Sequence, residues 1–147
     1  MRWLVVGIGN PLRRDDGLGR FVAAKIHQWK LPGVKVREVH QLAPELAMDV
    51  AEAENVLFVD ATLGDLELRE LHAKQAAATS MGHAMGPEDL LRLSQLVEGR
   101  TPRAWLAAIP ASDFSYGEGI SPPAHRLARR ALRMIRSLLS EEYSCLK

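Results

Sequence analysis

Three side chains far apart in this 147-residue chain carry donor chemistry that could work together: Asp16, Asp60 and His83. Asp16 is the second of an acidic pair, Asp15-Asp16, that closes a glycine-bearing run beginning Gly7-Ile8-Gly9-Asn10-Pro11. Asp60 ends the apolar run Val56-Leu57-Phe58-Val59, and His83 stands in the small-residue stretch Met81-Gly82-His83-Ala84-Met85-Gly86. Two carboxylates and an imidazole form a metal-ligand set. Hard oxygen and borderline nitrogen donors suit a divalent first-row ion such as nickel or zinc, and three protein ligands leave positions open for water or substrate. Each residue also has a plainer role, and spacing alone favours it: Asp16 as a helix cap, Asp60 as a strand-end acid bonded to loop amides, His83 as an exposed loop histidine.

The elements that must position these groups can be read from the hydrophobic pattern. Trp3-Leu4-Val5-Val6 is apolar without alternation, the mark of a strand buried on both faces inside a parallel sheet, and its carboxyl end is the expected site edge. Leu18, Phe21, Val22, Ile26 and Trp29 recur at helical steps, giving a helix over 17–29 that Asp15 or Asp16 can cap and Pro32-Gly33 ends. Residues 34–39 form a second strand with charged alternates, followed by a helix opening at Pro44-Glu45 and ending near residue 53. Residues 55–60 make another continuously apolar strand, central in the sheet beside the first, so that parallel packing brings Asp60 to the edge where Asp15 and Asp16 emerge.

Residues 66–71 alternate and read as a half-exposed edge strand, for which the short connection favours an antiparallel hairpin with the strand before it. Residues 74–86 are an irregular loop of a length that is uncommon without function. A helix from Pro87 to Gly99, a last strand over 104–109, and a C-terminal helix capped by Ser121-Pro122 complete the chain. In that last helix Ala124, Ala128, Ala131, Ile135 and Leu138 face the core, while Arg126, Arg129, Arg130, Arg133 and Arg136 read as a solvated polar face. Strands alternating with helices specify an α/β fold, a three-layer α/β/α sandwich on a mostly parallel sheet.

Composition narrows the function. A formal net charge of +1 gives no case for general nucleic-acid or membrane-surface binding. The short apolar N-terminal run is too brief for a secretory segment, and no 18-residue apolar stretch occurs, so the sequence predicts a soluble cytoplasmic protein. Cys145, the one cysteine, has no intrachain partner and lies too near the terminus to be a credible nucleophile. His27 and His72 are expected to face solvent, and His40 to be mostly structural. The Gly7-x-Gly9 turn does not fit a dinucleotide fingerprint: the third glycine is missing, Leu12 stands where a small residue is wanted, and acids occupy the place of phosphates. There is no Walker-type loop, nucleophile elbow or His-Glu-x-x-His helix.

Gly7-Ile8-Gly9-Asn10 followed by Asp15-Asp16-Gly17-Leu18-Gly19 resembles the opening motif of the nickel-iron hydrogenase maturation proteases. The resemblance continues in order along the chain: Val56-Leu57-Phe58-Val59-Asp60-Ala61 is similar to their second acidic strand end, Gly82-His83 with Pro87-Glu88-Asp89-Leu90-Leu91 to their histidine loop and following helix, and Ile109-Pro110 to their last strand. It implies a single domain over 1–147 with a phosphorylase/hydrolase-like fold and a mixed, mostly parallel five-stranded sheet. The activity implied is that of an endopeptidase, aspartyl protease-like in its acids. It removes a C-terminal extension from the nickel-loaded large-subunit precursor of a nickel-iron hydrogenase. Asp16, Asp60 and His83 then carry over as metal-binding and catalytic residues, with the nickel brought by the precursor and other divalent ions able to substitute.

Some members carry glutamate where this chain has Asp16, which shortens the arm by about one methylene and preserves the charge. Others differ from His40-Gln41-Leu42-Ala43-Pro44-Glu45, which leaves the partner hydrogenase open. The rival readings are a nickel-dependent assembly chaperone that docks on the same precursor without cutting it, and a nucleotide-binding module.

Overall fold

The computed structural model describes residues 2–73 and 85–144, with side chains described as far as residue 140. The elements run β1 (Trp3–Ile8), α1 (Leu18–Gln28), β2 (Val34–Val39), α2 (Ala47–Glu52), β3 (Asn55–Thr62), β4 (Glu67–Leu71), α3 (Pro87–Glu98), β5 (Arg103–Pro110) and α4 (Pro122–Ser144). Single 3-10 turns, Arg14–Gly17 and Pro44–Leu46, lead into α1 and α2. The five strands form one sheet in the order β2-β1-β3-β5-β4, with every pairing parallel except that of β4 with β5.

The apolar runs explain the layers. Successive residues of β1 face opposite sides: Trp3 and Val5 pack with α1 and α4, whereas Leu4, Val6 and Ile8 pack with α2 and α3. In β3, Leu57 and Val59 join the first core, Val56 and Phe58 the second. A strand that must satisfy two cores has no room for polar alternates, which is why β1 and the first five residues of β3 are buried throughout. β2, at the sheet's edge, tolerates the charged alternates of Val-Lys-Val-Arg-Glu-Val. The expected α/β/α sandwich on a mixed five-stranded sheet is therefore the fold observed. No helix among the described residues is long and apolar enough to cross a membrane.

Two local expectations are corrected. β4 is an antiparallel edge strand, but it pairs with β5, not with β3. β5 inserts between them because its eight residues match all eight of β3 in parallel register and bury Ala107 and Ile109 against the helices, which the charged Glu67-Leu68-Arg69-Glu70 could not do. The N-cap position of α1 is Gly17, with no side-chain cap, so neither Asp15 nor Asp16 plays that part. On α4, Leu138 packs against the core as expected, and Leu139 beside it is buried as well.

α1 sits unusually close to the sheet. A side chain at Gly19 would place its first carbon 2.2 Å from the carbonyl oxygen of Val59 and 2.4 Å from that of Ile8, both rigid backbone. Gly19→Ala is expected to destabilise the protein by about 1–3 kcal/mol, since only movement of the helix away from both strands relieves the overlap. A denaturation midpoint equal to that of the parent protein would contradict this packing.

Candidate active site

The connection from β1 to β2 passes through α1 on one face, whereas the chain that leaves β3 for β4 comes back to β5, the other neighbour of β3, through α3 on the opposite face. The chain thus departs in opposite directions from the carboxyl ends of β1 and β3, which opens a crevice at the position where sheets of this kind bind ligands. Asp16 lies on the turn entering α1 and Asp60 near the carboxyl end of β3, so both stand at this crevice. The tight seat of Gly19 over Val59, one residue before Asp60, fixes how near the two approach.

Each acid is aimed by one backbone amide. The N–H of Asn10 donates to Oδ2 of Asp16 at 2.8 Å, and the N–H of Ala61 donates to Oδ1 of Asp60 at 2.8 Å. Among the described residues no group donates to the second oxygen of either. The Asp16 turn is held by Gly9, whose φ of +144° suits glycine and whose missing side chain leaves space for the backbone carbonyl of Asp16.

Electrostatics ties the two together. Burial pushes the Asp60 carboxyl up from 3.8 to about 6; the Ala61 N–H opposes the rise and the neighbouring charge of Asp16 adds to it. Removing that charge with Asp16→Asn should lower the Asp60 midpoint, measurable by carboxyl-carbon NMR titration. An unmoved midpoint would place the acids too far apart to share a ligand.

Asp15 has a different role from its neighbour, and sequence reasoning did not find it. Its side chain is completely buried and accepts four hydrogen bonds from the loop between β5 and α4. The donors are the N–H of Ser112 at 2.8 Å, of Asp113 at 2.9 Å and of Ser121 at 2.7 Å, and the hydroxyl of Ser121 at 2.6 Å. Burial alone would raise its pKa; the bonds from Ser121, Ser112 and Asp113 outweigh it and hold the group below the ordinary carboxylate range. Ser121 stands at the expected start of α4, its carbonyl accepting the N–H of His125 at 2.8 Å, and its hydroxyl donates to Asp15. Backbone bonds from Asp15 to Asp113, from Arg14 to Gly117 and from Gly117 to Leu12 complete a clasp between the two loops. Only the polar, glycine-containing character of 111–120 hinted at such a role.

The third predicted residue, His83, lies outside the described residues. Among the described residues no group of three or more His, Cys, Asp or Glu side chains is placed to hold a metal ion. The flank nearest His83 is described: Gly86 precedes α3, its N–H bonded to Asp89 at 2.9 Å. The other end of α3 is tied to the amino edge of the sheet, where Arg100 donates to the carbonyl of Ala53 at 3.5 Å, so the helix begins toward the carboxyl edge. His27, His40 and His72 are exposed, as expected for His27 and His72. Beside the Asp16 turn lies an open cleft of about 240 Å³, lined by Pro11, Gly17, Arg20, Phe21, Glu38 and Ile120 among others.

No protein-family model matches the sequence, and no curated protein matches it significantly. Solved structures do match in fold. The hydrogenase maturating endopeptidase HybD from E. coli superposes with a TM-score of 0.74 at 20% identity, covering 97% of this chain and 94% of that one. The [NiFe] hydrogenase maturation protease HycI from Thermococcus kodakarensis gives 0.72 at 21% identity over 95% and 92%. A hydrogenase 2 maturation peptidase from a Thaumarchaeota archaeon gives 0.69 at 20% identity over 95% and 98%. The chain therefore has the fold of [NiFe] hydrogenase maturation proteases over nearly its whole length.

Proposed function

We propose that this protein is a cytoplasmic hydrogenase maturation endopeptidase, one domain that removes a C-terminal extension from the nickel-loaded large-subunit precursor of a nickel-iron hydrogenase. The observation that carries this reading is the convergence of Asp16 and Asp60 on the crevice between β1 and β3, each with one carboxylate oxygen unengaged among the described residues. Together with His83, three residues before Gly86, they make a donor set of two carboxylates and an imidazole that suits nickel. The metal is part of the substrate. An ion already partly coordinated by the precursor offers open positions to these three side chains, and an empty precursor lacks that binding energy, so the enzyme would select for loaded precursor. Nickel would supply Lewis acidity at the scissile carbonyl. Asp60, with a proton affinity near neutrality, is the better placed of the two acids to take a proton from water before the ion engages it.

The rim of the crevice supports a protein as substrate. Leu12, Leu63 and Tyr116 are 56%, 87% and 87% exposed, on the three loops that follow β1, β3 and β5 at one edge of the sheet. Large apolar side chains left in water around a site suit burial against a macromolecule.

The test is intact-mass measurement after mixing the protein with nickel-loaded precursor. Loss of a C-terminal peptide supports the endopeptidase; a stable complex without cleavage transfers the assignment to an assembly chaperone. Asp16→Asn and His83→Ala are expected to abolish processing while leaving the circular dichroism spectrum of Asp16→Asn unchanged. Normal processing by either variant would remove that residue from the site.

A further inference from the structure

Five arginines on α4 form a stripe that the site above does not use. Arg126, Arg129, Arg130, Arg133 and Arg136 are all exposed, on the side of the helix opposite Ala124, Ala128, Ala131, Ile135 and Leu139, which pack into the core. From 122 to 140 the helix carries no acidic residue at all. Among the described residues these arginines have no carboxylate partner. Arg136 alone has a described contact, its guanidinium lying 4.9 Å from the centre of the Trp29 ring. With a formal net charge of only +1 for the whole chain, the remainder of the molecule is net acidic, and the positive charge is concentrated here.

Helix stability does not account for the pattern. Arg126 with Arg130, and Arg129 with Arg133, are like charges at i,i+4, which weaken a helix where alternating signs would strengthen it. A face needed only for solubility would mix both signs. The charged heads are all guanidinium, the group that pairs with carboxylates through two parallel hydrogen bonds.

We propose that this stripe is a docking rail for an acidic segment of a partner protein, one that presents carboxylates along a helix at matching one-turn intervals. The rail is about 15 Å long from Arg126 to Arg136 and one helix wide. Its neighbour β4, which α4 contacts, presents Glu70 on the same face of the sheet, already ion-paired with Arg103 at 3.0 Å. A rail of that width, on a molecule whose remainder is net acidic, fits a single acidic helix better than a broad nucleic-acid duplex, whose phosphates would extend over that remainder.

Fluorescence anisotropy with the full chain and a labelled, helix-forming peptide bearing glutamates at i, i+4, i+7 and i+11 tests the proposal. Binding is expected at low salt, and Arg130→Glu combined with Arg133→Glu should weaken it by at least about tenfold. Lys35→Glu, an exposed reversal on β2, should change it by less than about twofold. Absence of binding, or an equal loss in Lys35→Glu, would overturn the proposal. So would a DNA duplex that displaces the peptide at equal concentration, which would make the stripe a phosphate-binding surface.

Discussion

Asp15→Ala is expected to cost the fold about 3–5 kcal/mol, more than any other single change at the crevice. The substitution removes the acceptor for four donors at 2.6–2.9 Å, all from the segment between β5 and α4, and leaves them facing an apolar methyl group. Asp15→Asn should lie between parent and alanine variant, because whichever way the amide turns, its NH2 confronts at least one N–H or O–H donor. Urea titration followed by circular dichroism checks both. A loss below about 1 kcal/mol in the alanine variant would mean that water replaces the carboxylate without difficulty. The pH dependence follows from the sign of the shift. Asp15 is held below its ordinary range, so its contribution is complete above the unfolded value near 4 and disappears as pH falls through the folded value. The parent should therefore lose its advantage over Asp15→Asn on acidification.

Asp60→Asn is expected to act in the opposite sense, making the protein more stable at neutral pH while abolishing the processing proposed above. The folded-state pKa of Asp60 is raised to about 6, so the fold prefers the neutral acid. Ionisation costs nothing below the unfolded value near 4, costs progressively more between about 4 and 6, and is fully felt above 6, where the penalty reaches up to about 3 kcal/mol. Asparagine keeps the acceptor for the Ala61 N–H without the charge. The variant should gain up to that amount at pH 7.5 and almost nothing at pH 4. Equal midpoints for parent and variant at pH 7.5 would show that the ionised carboxylate is well solvated in the crevice. A stability gain joined to a loss of activity is the expected mark of a group kept for chemistry against its folding cost.

These two acids mark what the sequence could and could not reveal. The placement of Asp60 was legible because it depends on local pattern: a β-branched and aromatic run buried on both faces must lie in the middle of a parallel sheet, and its last residue must emerge at the carboxyl edge. The α/β/α layering follows from the same logic applied to β1, α1 and α4. The division of labour between Asp15 and Asp16 was not legible. Adjacent identical residues have the same propensities, and what separates them is a loop about a hundred residues further on. The partner of β4 was hidden for a related reason. A short connection points to a hairpin, but the vacant edge of β3 goes to the strand that can bury both faces, and that strand comes later in the chain.

Residues joined by the Asp15 contacts lie 97 to 106 positions apart. A ribosome delivers the N-terminal acids first and their donors only after most of the polypeptide has been made. Until Ser112, Asp113 and Ser121 have been made, the first loop has only its local bonds, such as Asn10 to Asp16 and Asp16 to Arg13, to set its shape, and the buried Asp15 has no donors. The clasp between the two loops is therefore among the last contacts that the growing chain can make.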